Sequence, residues 1–277
     1  MRRILIFGLG YTAKRIAQRL RSEGWRVDAT GSAGNLAFED EEAVRAALAD
    51  ASHVLSSVPP GERDPVLHRY GDALAQGGRW LGYLSSTGVY GDAQGAWVDE
   101  SAATGTGRRT ARADADLAWL QLRARVFRLP GIYGPGRSAL DRVREGRTRR
   151  IDLPGQVFSR VHVEDIASGV IAGLDGPPGA YNLADDLPCS QNLVIEEACR
   201  LLGVEPPLLQ SLEQADLSPM ARAFYSENRR VANGKAKRVL GWKPAYATFR
   251  SGLRALSAST MPSTASAAPA VESADQR

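Results

Sequence analysis

Cysteine is scarce: Cys189 and Cys199 are the only two in 277 residues, too few for a disulfide framework. Histidine occurs three times, and no Cys/His cluster has metal-ligand spacing, so no metal site is expected. No apolar run approaches ~20 residues, which excludes a membrane span. The first strand follows Arg2 and Arg3 and breaks at glycine, unlike a signal peptide. A cytoplasmic protein without membrane contact is therefore expected. Lysine is also rare, at 14, 235, 237 and 243 only, so the net charge of +4 is carried almost wholly by arginine. The densest basic stretch, Arg142 to Arg150, has no interleaved aromatics for base stacking, which argues against nucleic acid. It reads as a solvated helix end, or as the rim of an anionic-substrate site.

What is present begins at the N-terminus. Ile4-Leu5-Ile6-Phe7 is an apolar strand running into Gly8-Leu9-Gly10-Tyr11-Thr12-Ala13, a G-x-G-x-x-A turn. Gly8 permits the tight turn, Gly10 lets backbone approach a pyrophosphate, and Ala13 still allows close helix–strand packing. In the following helix Ile16, Ala17 and Leu20 share one face. Its N-terminal amides and dipole would face phosphates. The turn thus predicts a dinucleotide site formed by Gly8, Leu9, Gly10, Tyr11 and Thr12.

Strand and helix signals alternate through residue 136, predicting a parallel sheet with crossovers. Strands are expected at 25–30, 51–58, 80–86 and 124–129. Beyond Gly136, helices near 138–145, 164–174, 190–202 and 229–240 alternate with short extended pieces. This reads as an α/β Rossmann-type doubly wound unit over 1–256, with its core mainly in 1–136 and a smaller C-terminal substrate lobe in 137–256. Residues 257–277, rich in Ser, Thr, Ala and Pro, read as a disordered tail. The second strand ends Ala29-Thr30-Gly31-Ser32, with glycine where an acid commonly binds the ribose 2′-hydroxyl of NAD. NADP is therefore favoured over NAD, with Lys14, Arg15 or Ser32 near a 2′-phosphate. Pro59-Pro60 ends the third strand at the cleft, making Ser57 and Val58 the expected backbone contacts there.

Further along, Ser85-Ser86-Thr87-Gly88-Val89-Tyr90-Gly91, Arg128 to Gly136 (RLPGIYGPG), Arg160 to Ala167 (RVHVEDIA), Tyr181-Asn182-Leu183-Ala184 and Leu240 to Pro244 (LGWKP) follow in order. Together with the glycine turn they resemble the extended short-chain dehydrogenases/reductases, the NAD-dependent epimerase/dehydratase superfamily, over residues 3 to about 256. The resemblance implies a seven-strand sheet, a lobe closing over a small-molecule substrate, and catalysis by Ser/Thr, Tyr and Lys in a Y-x-x-x-K arrangement. It places Ser86 and Thr87 at the catalytic hydroxyl, Pro130 beside the cofactor, and Arg160 and His162 toward the substrate.

The chain departs from that pattern. No tyrosine lies four residues before any lysine. Aligning Asp116 with the family's acidic residue puts Arg108 at the Tyr position and Arg112 at the Lys position. Arg112 can still serve the nicotinamide ribose, but Arg108 cannot act as a general acid/base. Two readings follow: an atypical NAD(P)-dependent oxidoreductase or epimerase acting on a small, anionic hydroxyl- or carbonyl-bearing substrate, or a dinucleotide-binding sensor or scaffold without turnover. Either suits a monomer or homodimer.

Overall fold

Alternate residues of the first strand face opposite ways, and both sets are buried. β1 (Arg3–Phe7) sends Ile4 and Ile6 to one apolar cluster and Leu5 and Phe7 to another. A strand covered on both faces belongs inside a parallel α/β sheet. The computed structural model describes residues 2–107 and 110–260. Chain order continues with α1 (Tyr11–Ser22), β2 (Arg26–Ala29), α2 (Glu41–Asp50), β3 (His53–Ser56), α3 (Pro65–Ala75) and β4 (Trp80–Ser86). Next come β5 (Trp97–Val98), α4 (Thr110–Gln121), β6 (Arg125–Leu129), β7 (Gly131–Tyr133), α5 (Ala139–Arg144), β8 (Arg150–Ile151), β9 (Arg160–His162), α6 (Val163–Ala172) and β10 (Gly179–Asn182). The chain ends through α7 (Gln191–Leu202), β11 (Leu209–Gln210), α8 (Pro219–Phe224), β12 (Arg230–Val231), α9 (Gly234–Leu240) and α10 (Phe249–Thr260).

The main sheet has the order β10-β6-β4-β3-β1-β2, and every pairing in it is parallel. The chain leaves β2 on one side of β1 and resumes with β3 on the other. That reversal opens a crevice at the carboxyl ends of β1 and β3, the usual ligand position in such sheets. Helices α1 and α6 cover one face, with Ile16, Leu20 and Ile166 inward. The other face carries Val44, Val66, Tyr70 and Trp119 from α2, α3 and α4. Asp64 starts α3 by accepting from the Val66 and Leu67 amides at 2.8 and 2.9 Å, and its second oxygen accepts from Trp119 Nε1 at 2.9 Å.

Three expectations are corrected. The main sheet has six strands among the described residues rather than seven; beyond β2 the chain makes only an isolated parallel bridge between Thr30 and Leu36. The helix expected from 229 starts at Gly234, because Arg230 and Val231 instead pair with Trp97 and Val98. Residues 257–260, read as the start of a tail, complete α10, whose Phe249, Leu253 and Leu256 pack on the lobe core beside Tyr133 and Val194. Residues 261–277 lie outside the described residues.

Candidate active site

The turn after β1 is shaped by contacts that only glycine permits. Gly8 has φ +82°, and a Cβ there would lie 2.9 Å from Val58 Cγ2. Its amide donates to Thr30 Oγ1 at 3.1 Å, and Ser57 Oγ donates to its carbonyl. Leu9 donates its amide to the Thr30 carbonyl at 2.9 Å and is buried. The first intrahelical bond of α1 runs from Lys14 N–H to the Gly10 carbonyl, and no side chain caps the helix. The amides of Tyr11, Thr12 and Ala13 are thus orphan donors of the first turn. They line a cavity of about 560 Å³ with Gly10, whose added Cβ would meet no protein atom within 4 Å. Uncapped amides at a helix N-terminus, facing space that a side chain at residue 10 would fill, fit a dinucleotide's diphosphate.

The same cavity is walled by Ser86, Arg112 and Pro130. Ser86 accepts the Gly88 amide at 3.1 Å, which leaves its own O–H to donate outward. Beneath it lies a buried polar chain. Ser85 Oγ donates to Asp116 Oδ2 at 2.6 Å, and Arg128 donates to both Asp116 oxygens at 3.1 and 2.7 Å. Arg128 also donates to the Tyr90 hydroxyl at 3.0 Å, which donates to Asn182 Oδ1 at 2.7 Å. Tyr90 is therefore a structural member of this chain. A smaller cavity of about 180 Å³ continues past Thr87 toward Phe158 and Ser159.

A third cavity, of about 830 Å³, occupies the lobe and shares Gly131, Ile132, Arg137 and Phe224 with the first. Arg137, Arg142 and Arg160 line it, and none forms an ion pair within 4 Å among the described residues. Arg160 instead donates to Cys189 Sγ at 2.9 Å and lies over the Phe249 ring. Aromatic walls come from Phe158 and Phe224, stacked at 4.7 Å, and from Tyr225 and Phe249.

Of the residues expected at the cofactor, Gly10, Tyr11, Thr12, Ser57, Arg112 and Pro130 line the first cavity together with Ser86. Gly8, Leu9 and Val58 shape the turn instead: the Gly8 and Leu9 amides donate to Thr30, and Val58 Cγ2 closes on Gly8. Ser32 is exposed on the turn after β2 and is not in the cavity wall. Arg15 leaves the nucleotide side for Glu164 on α6, at 3.6 Å. Asp28 accepts from Asn35 Nδ2 at 2.9 Å. Thr87 opens onto the smaller cavity, and Arg160 onto the lobe cavity.

His162 is not among the residues lining the three cavities. Its Nδ1 accepts the Glu164 amide at 3.3 Å and so caps α6, while its ring packs on Tyr246 and Tyr133 at 4.1 and 5.1 Å. Burial, with Arg15 adding, pushes its pKa down to about 4, so it is neutral at pH 7. Glu100, too, is structural: its carboxylate accepts the Asn182 amide at 2.7 Å. Arg108 lies outside the described residues. Phe224, Glu227 and Arg229 line the first cavity without any sequence signal; they come from a motif-free segment around the end of α8.

No family model matches the chain. A functionally unknown conserved protein from Silicibacter pomeroyi DSS superposes with TM-score 0.84 and 41% identity, over 94% of this chain and 99% of that one. The chain belongs to the family of that conserved protein. Protein YeeZ of Escherichia coli K12 is 29% identical over 242 residues, 75% of this chain and 86% of that protein. The 3-diazoavenalumate denitrifying reductase of a Streptomyces species is 30% identical over 156 residues, 51% of this chain and 48% of that protein. At lower identity the neighbours are epimerase/dehydratase-type short-chain dehydrogenase/reductase proteins. The dTDP-glucose 4,6-dehydratase of Bacillus anthracis with NAD matches at TM-score 0.73, 17% identity, 93% of this chain and 96% of that one. The human epimerase family protein SDR39U1 with NADPH matches at TM-score 0.73, 15% identity, 92% of this chain and 99% of that one. The fold is therefore that of NAD(P)-binding epimerase/dehydratase proteins. No helix among the described residues is long and apolar enough to cross a membrane.

Proposed function

We propose that this protein is an atypical nicotinamide-dinucleotide-dependent oxidoreductase, lacking Y-x-x-x-K, that acts on a small anionic substrate bearing a hydroxyl or carbonyl. One observation carries the reading: the cavity that holds the α1 cradle and Ser86 adjoins the arginine-lined lobe cavity, the two sharing Gly131, Ile132, Arg137 and Phe224 as walls. A binding protein needs the first of these; a catalyst needs all three. Gly10 and the first-turn amides of α1 hold the diphosphate, and Arg112 supplies positive charge on the nicotinamide side. When bound, the dinucleotide supplies hydride acceptance or donation. Ser86 orients the substrate oxygen by donating to it. Arg137, Arg142 and Arg160 draw the anionic end into the lobe, where three guanidinium groups without an ion pair within 4 Å among the described residues favour carboxylate or phosphate. The aromatic walls favour a planar, apolar body. A relative named as a reductase is consistent with redox chemistry. NADP is preferred, because the turn after β2 carries Gly31 and Ser32 and the one nearby carboxylate, Asp28, is engaged by Asn35.

The test is titration of nucleotide-stripped protein with NADPH and NADH, read by fluorescence and thermal shift. NADPH should bind roughly tenfold or more tightly than NADH, a difference of about 1.4 kcal/mol. Turnover is then sought with aryl 2-hydroxy and 2-oxo acids such as mandelate and phenylglyoxylate. Failure of both nucleotides to bind sinks the reading.

A further inference from the structure

Between α8 and β12 the chain runs Glu227-Asn228-Arg229, clamped from two sides. The Ala93 and Gly95 amides donate to the Asn228 carbonyl at 3.1 and 2.9 Å, and the Asn228 amide donates to Asp92 Oδ1 at 2.8 Å. From the other side Gln156 Nε2 donates to the Glu227 carbonyl at 2.9 Å. Asn228 Nδ2 donates to the Gly155 carbonyl at 3.0 Å, and the Val157 amide donates to Asn228 Oδ1 at 3.1 Å. Arg229 donates to the Gly91 carbonyl and, at 2.8 Å, to the Glu227 carboxylate.

This clamp puts Glu227 in the wall of both the 560 Å³ and the 180 Å³ cavities, which Ser86 and Pro130 also line. Its side chain is only 11% exposed, and Glu227 is the one acidic residue lining either cavity among the described residues. Tyr11, the other lining group able to carry a proton, donates its hydroxyl to the Pro135 carbonyl at 3.1 Å and stands at the phosphate end. A site that keeps its cofactor cradle but lacks the Tyr and Lys of the resembling family needs another proton carrier.

We propose that Glu227, held by Arg229, is the proton-transfer residue of this site. The assignment rests on the oxidoreductase reading. In the oxidising direction, with an oxidised nicotinamide bound, the substrate C–H bond would break and its hydride would pass to that ring. The hydroxyl O–H bond breaks, its proton passes to the Glu227 carboxylate, and the C–O bond becomes C=O. Ser86 donates to that same oxygen, and Glu227 releases the proton to the open cleft. Reduction reverses each movement.

The experiment compares wild type, Glu227→Gln and Glu227→Asp, first with nucleotide alone. An anionic carboxylate beside the ring favours the cationic oxidised nicotinamide over the neutral reduced one. Glu227→Gln should therefore weaken NADP⁺ by roughly threefold or more relative to NADPH. Glu227→Asp should keep most of the preference. With mandelate and NADP⁺, Glu227→Gln should lower kcat/KM by about 10²–10⁴ and abolish the acidic limb of its pH profile. If Glu227→Gln shifts both nucleotides equally or neither, or leaves that limb in place, Glu227 is overturned while the oxidoreductase reading stands. If wild type binds neither nucleotide, both fall together.

Discussion

Asp116 and Arg128 form the most consequential buried pair in the molecule, and Asp116→Asn tests it. Their side chains are 2% and 4% exposed. Asp116 accepts three hydrogen bonds, from Ser85 and from two Arg128 nitrogens. The substitution keeps the shape of the side chain but leaves the buried guanidinium without a counter-charge, with one amide oxygen and Tyr90 left to accept from it. Removing one member of such a pair costs about 3–5 kcal/mol, since the remaining charge stays desolvated. For a chain of this size that corresponds to a melting-temperature drop of roughly 6–20 °C. The assay is urea denaturation followed by tryptophan fluorescence, because Trp119 and Trp80 sit in the two apolar layers that the sheet separates. The double variant Asp116→Leu/Arg128→Met removes both charges and should recover most of the loss, which separates stranded charge from lost packing. A cost under about 1 kcal/mol for Asp116→Asn, or a double variant no better than the single one, would refute the reasoning.

Gly10→Ala should leave the urea midpoint almost unchanged, because its Cβ meets no protein atom, yet weaken NADPH binding by roughly tenfold or more by entering the diphosphate space; an unchanged dissociation constant would move the phosphates elsewhere. Burial raises the Asp185 pKa to about 7 and leaves its Oδ2 unpartnered. The folded state then binds the extra proton, so this group's contribution to stability is full below about pH 3.9, falls as pH rises toward 7 and stays lost above it, by up to about 4 kcal/mol. Asp185→Asn should therefore stabilise the protein at pH 8 and make little difference at pH 4, as measured by urea midpoints at the two values. His162, with its pKa lowered to about 4, has the opposite sign: its contribution is present above pH 6.5 and fades as pH falls toward 4. Ser86→Ala should cut turnover while sparing nucleotide affinity; equal loss of both would remove Ser86 from any chemical role.

The nucleotide half of the molecule was legible in the sequence for a physical reason. Gly8 and Gly10 answer to the tight turn and to close backbone approach, and that demand can be read residue by residue. Ile4 to Phe7 and the α1 face answer to burial, which shows as periodicity. The helix-capping role of His162 was not legible, because a histidine capping a helix and one lining a cleft look alike in sequence; the cap and the Tyr246 contact appear only in the structure. Helix α10 went unread, although Phe249, Leu253 and Leu256 keep helical spacing, because the small polar residues that follow drew the boundary too early. Glu227 was invisible for a different reason. Its position depends on where three distant stretches meet, and nothing in the spacing of 227–229 encodes that meeting.

The manner in which residues 227–229 are fastened has a consequence for divergence. Three of the contacts end on the carbonyls of 227 and 228, which every amino acid possesses. The side chain at 227 can therefore be exchanged while its Cα stays anchored. A lineage built on this scaffold can change its proton carrier at one codon and leave the dinucleotide cradle on α1 untouched, so relatives that share the cradle need not share a reaction.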